Sequence, residues 1–66
     1  MSKLLNAKEV QEQLGISEST LWRLLKRKEL TGFKVGHAWK FEEEDIKRYI
    51  ERQRAKAEAE LREQAA

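Results

Sequence analysis

Residues 14–28 read Leu14-Gly15-Ile16-Ser17-Glu18-Ser19-Thr20-Leu21-Trp22-Arg23-Leu24-Leu25-Lys26-Arg27-Lys28, and this stretch decides the fold. Gly15 is suited to end a helix, because a residue without a Cβ enters the left-handed region at little steric cost. Ser17 is suited to start the next one, its hydroxyl accepting from an orphan amide of the first turn. Ile16 between them predicts an apolar plug. A connection this short, containing a glycine, turns one helix sharply against the next. Leu21, Leu24, Leu25 and Lys28 then share one side of a helix predicted over about 18–28, with Lys28 burying only its aliphatic stem. At about 100° per residue the opposite side collects Ser19, Arg23 and Lys26, flanked by Thr20, Trp22 and Arg27. One side packs; the other presents hydroxyls, cations and an indole.

Upstream, Asn6 with Glu9 three residues later reads as a capping box, and Leu5 with Val10 as its hydrophobic staple. Ala7, Val10 and Leu14 recur at helical spacing. A first helix over about 7–14 follows. Downstream, Phe33-Lys34-Val35 and Ala38-Trp39-Lys40-Phe41 alternate apolar and polar around Gly36-His37, which predicts a hairpin with a tight turn. Two strands alone are marginal, so Phe33, Val35, Trp39 and Phe41 are expected to pack on the helices. Glu42-Glu43-Glu44-Asp45 suits the positive end of a helix dipole, and Ile46, Tyr49 and Ile50 give that helix its apolar face. The expected architecture is mostly α with a small β-hairpin: a winged helix-turn-helix of order α-α-β-β-α. We place the domain at residues 1–54. Residues 55–66 are strong helix formers with one large apolar residue, Leu61, and read as a helical or frayed tail.

Composition narrows the function. A chain of 66 residues has room for one small core, burying only about 60% of its unfolded surface. There is no Cys and only one His, which removes disulfides, zinc clusters and the usual nucleophile–base pairs. No Gly-rich phosphate loop is present, and the acids at 42–45 are neighbours on a helix start, not two carboxylates facing across a cleft. We therefore expect no enzyme and no cofactor. No apolar run suits a membrane span or a signal peptide, so a cytoplasmic protein is expected. The net charge of +2 hides an asymmetry. From Thr20 to Lys40, Arg23, Lys26, Arg27, Lys28, Lys34 and Lys40 face one acid, Glu29. A localised basic patch points to a polyanionic partner.

If that partner is double-stranded DNA, the second helix enters the major groove. Arg23 can pair bidentately with a guanine, and Ser19 and Thr20 can reach either type of base. Lys26 and Arg27 lie a turn later, where phosphate is the expected partner, and Ser17 joins them if it is more than a cap. Trp22 reads either as a half-buried core residue or as a ring stacked on the DNA backbone. In the wing, Lys34 and Lys40 sit on the polar phase and His37 at the tip, in reach of the minor groove or flanking phosphates. Trp39 is in phase with Phe41 and reads as core. The competing reading is a protein-interaction module that docks an acidic partner on the 18–28 face.

Taken in order, Leu4-Leu5-Asn6-Ala7-Lys8-Glu9-Val10, Leu14-Gly15-Ile16-Ser17, Thr20-Leu21-Trp22-Arg23-Leu24, Leu30, Val35-Gly36 and Trp39-Lys40-Phe41 resemble the excisionase-type branch of the MerR-like winged helix-turn-helix domains. The resemblance spans about residues 3–52. It implies DNA as ligand, groove-reading positions at Ser19, Thr20, Arg23 and Lys26, and a role as an architectural factor in recombination or as a small transcription regulator. Full MerR-type regulators carry a long dimerisation helix and an effector domain; neither is expected here, and no small-molecule effector is expected. A single module of this size buries little surface on DNA, about 600–1,000 Å². A monomer that binds repeated sites cooperatively, beside further copies or a recombinase, is the expected mode of action.

Overall fold

The computed structural model describes residues 3–65. The elements run β1 (Leu4–Asn6), α1 (Ala7–Leu14), α2 (Glu18–Lys26), β2 (Phe33–Val35), β3 (Ala38–Glu42) and α3 (Glu43–Ala65). The expected helix-turn-helix, wing and closing helix are all there. The sequence reading missed β1, so the order is β-α-α-β-β-α and the wing belongs to a three-stranded antiparallel sheet, β1-β3-β2.

The first helix starts as its residues dictate. Asn6 Oδ1 accepts from the Glu9 amide at 2.8 Å, and the Asn6 amide donates to Glu9 Oε1 at 3.0 Å. Each bond satisfies a donor the helix itself cannot. Gly15 ends α1 at φ +66°, and the Ile16 amide donates to the Gln11 carbonyl. Ser17 Oγ then accepts from the Thr20 amide at 3.3 Å and opens α2.

The end of α2 differs from the expected 18–28. The helix stops at Lys26, and Lys28 lies outside it at φ +60°. The Lys28 amide donates to the Leu25 carbonyl and the Glu29 amide to the Leu24 carbonyl. That is the bond pair of a Schellman motif, with a lysine where glycine is usual. Lys28 is therefore exposed; it is not folded along the leucine face.

The core consists of Leu5, Val10, Leu21, Leu24, Leu30, Phe41 and Ile46, drawn from every element except β2. Ala7, Leu14, Ile16, Leu25, Trp39, Tyr49 and Ile50 pack around it half-buried. Burying a side chain such as Phe41 or Leu21 contributes about 1.5–3 kcal/mol, which matters greatly in so small a domain. Leu5 faces Phe41 across the β1–β3 ladder, so the residue expected as a staple is also a sheet residue.

The wing corrects a second expectation. Val35 pairs with Ala38, Lys34 with Trp39 and Phe33 with Lys40. Directly opposed residues share a face. Lys34 therefore shares the inner face with Trp39 and Phe41, while Phe33 and Val35 share the outer face with Lys40. Phe33 and Val35 are 42% and 54% exposed and do not pack on the helices. The two-residue turn forces this result, because it puts the odd positions of β2 in register with the even positions of β3. Glu42 ends β3, and α3 begins one residue later, its first amide donating to the Lys3 carbonyl at 2.8 Å.

Candidate nucleic-acid interface

The second helix divides cleanly. Leu21 and Leu24 are buried, and Leu25 is half-buried beside them. Ser19, Arg23 and Lys26, at helical spacings of four and three, are all exposed. This is the face the sequence predicted, and it carries two cations and a hydroxyl. Arg27 caps the helix and is exposed, so it extends the positive charge at the exit from α2.

Several neighbouring side chains are held by the protein. Ser17 Oγ donates to Thr20 Oγ1 at 3.0 Å and lies 3.1 Å from Ser19 Oγ. The hydroxyls of the first turn thus form one small network, and Thr20 is half-buried within it. Trp22 is half-buried too. Its ring meets Trp39 edge-on with centroids 5.5 Å apart, and its Nε1 donates to Glu18 Oε1 at 3.2 Å. Of the two sequence readings of Trp22, this is the packing one. Glu18 therefore has a partner in addition to its favourable place in the first turn. Trp39 in turn stacks on Phe41 at 6.5 Å, linking α2 through the wing to the core. Trp39 is half-buried rather than fully enclosed.

The wing residues are not equivalent. Lys34 lies on the face that Trp39 turns towards α2. Lys40 lies on the outer face, half-buried among Phe33 and its neighbours. His37 is exposed at the tip, following Gly36 at φ +63°. The register thus puts Lys34 on the Trp39 face of the sheet and Lys40 on the opposite one.

Sequence reasoning also missed residues. Arg48, Arg52 and Lys56 lie one turn apart along α3 and line one cleft with Lys28. Their spacing of four is visible in the sequence, but the acids of the same segment outnumber its cations, so no basic patch stands out in the charge pattern. Among the described residues, no cluster of His, Cys, Asp or Glu could hold a metal ion, and no helix is long and apolar enough to cross a membrane.

Two helices joined by a tight turn, a wing against the second of them, and a polar face on that helix define a winged helix-turn-helix. A family model described as a helix-turn-helix domain matches residues 4–54. The chain belongs to this family, a class of DNA-binding domains. No curated protein and no solved structure shows significant similarity to it.

Proposed function

We propose that the chain binds double-stranded DNA with sequence preference, α2 entering the major groove and the wing, residues 33–41, resting on the flanking minor groove or backbone. The observation that carries this reading is the division of α2, with Ser19, Arg23 and Lys26 exposed opposite buried Leu21 and Leu24. Arg23 sits mid-helix and reads a base edge, where a guanine accepts two parallel bonds from its guanidinium. Ser19 and Thr20 approach bases from the first turn. Ser17, Lys26, Arg27, Lys34, His37 and Lys40 supply backbone contacts, which add affinity and salt dependence but no sequence information. Trp22 flanks this surface, its ring packed edge-on against Trp39. The role is that of an excisionase-like architectural factor or a small transcription regulator, with a recombinase or adjacent copies as protein partners.

Selection of bound sequences from a random DNA pool should return a recurring motif. At that motif, Arg23→Ala should cost about 1–3 kcal/mol and relax the preference at one position. A variant that kept the parent's ratio of specific to random binding would take base reading away from Arg23. A pool that returned no motif would remove sequence preference altogether.

A further inference from the structure

Between the loop that leaves α2 and the face of α3 lies a cleft of about 410 Å³. Lys28, Arg48, Arg52 and Lys56 line it, with Thr31 at its edge and Glu29 and Asp45 as the acids. All four cations are exposed. The two arginines are held in place. Arg52 Nη2 donates to the Glu29 carbonyl at 2.9 Å, and Arg48 Nη1 pairs with Asp45 Oδ1 at 3.2 Å. An arginine fork fixed through one nitrogen has further donors on the same rigid plane, an arrangement suited to phosphate oxygens. At 1.5 Å per residue, Arg48 to Lys56 covers about 12 Å of helix. That length matches about three or four phosphates of axial rise along one DNA strand.

We propose that this cleft holds a phosphodiester segment of the duplex that α2 reads, outside the stretch under α2 itself. The inference rests on the DNA-binding reading and extends it. Continuity supports it: the groove-facing cations Arg23 and Lys26 lead through Arg27 and Lys28 directly into the cleft. The Arg52–Glu29 bond ties the loop that leaves α2 to α3. A duplex touching both would have to follow the protein past the end of α2, so the contact favours DNA that bends there.

The test compares two duplexes: the shortest that keeps the sequence preference, and the same one extended by about one helical turn at each end. Arg48→Ala/Lys56→Ala leaves Arg52 in place, and its melting curve checks that the domain still folds. On the long duplex the variant should bind more weakly, with a salt slope shallower by about two units, since each phosphate neutralised contributes about 0.9. On the short duplex its affinity and slope should equal the parent's. A loss of equal size on both duplexes, or on neither, would overturn the proposal, and the second result would leave the cleft to an acidic protein segment. A parent that retained no duplex at all from the random pool would instead remove the DNA-binding reading itself.

Discussion

Gly32 shows how closely a single residue can be constrained. A Cβ there would sit 2.6 Å from the ring of Phe41, which is fully buried. Gly32→Ala should therefore cost about 1–3 kcal/mol by overpacking, read as a lower urea midpoint at unchanged slope. Stability equal to the parent's would show that the ring yields. Gly32 carries no pattern in the sequence that announces this role, because the contact depends on a ring nine residues away in another strand. Lys28 was hidden for a related reason. Its polarity and spacing fit a helix continuing from Leu24, and the lysine gives no sign of the left-handed turn that ends α2 at φ +60°. A side chain in that region costs about 1–2 kcal/mol, so Lys28→Gly should raise stability by about 1 kcal/mol in the same titration. A fall would mean that the cation itself stabilises the end of α2. Arg23, by contrast, was legible, because three leucines fix which side of the helix is inside and leave Arg23 on the other.

At the scale of elements, the helices were legible and the sheet was half so. Caps write helix starts into the chain: Asn6 with Glu9, and Ser17 with Thr20, form the bonds their residue types predict. The strand β1 was obscured because two of its three residues, Leu5 and Asn6, double as helix staple and cap, and the run is too short to show alternation. The wing was recognised but assigned one phase throughout, although its two-residue turn requires Phe33 and Val35 to face away from Trp39 and Phe41. That correction changes what the two wing lysines should do. Lys34→Ala should weaken DNA binding and lower the salt slope by about one unit, with sequence preference intact. Lys40→Ala, on the outer face, should change the slope less. Equal effects from the two would mean that the hairpin lies edge-on to the DNA, and no effect from either would take the wing out of the interface.

For the whole molecule, the question is how much of α3 the domain needs. The helix has 23 residues, but its buried contact with the core ends near Ile50. Beyond it Leu61 is 64% exposed. A coiled-coil seam through Ile46, Ile50, Ala57 and Leu61 would need Ile46 on the surface, and Ile46 is fully buried. Deleting residues 57–66 should therefore shift Tm by no more than about 4 °C, independently of protein concentration. A larger loss that grows with concentration would reveal association through the helix. The sheet has a consequence for how the chain folds. Leu4 pairs with Glu42, about 38 residues further on, and the core joins Leu5 to Ile46. No contiguous half of the chain can bury Leu5, because its partners lie on both sides of the midpoint. Closing so long a loop costs more chain entropy than closing the local hairpin. On a ribosome, the helix-turn-helix must wait for the start of α3 to emerge before it has a core to rest on. Folding is then a single late event, in which α2 and the wing take up their positions together.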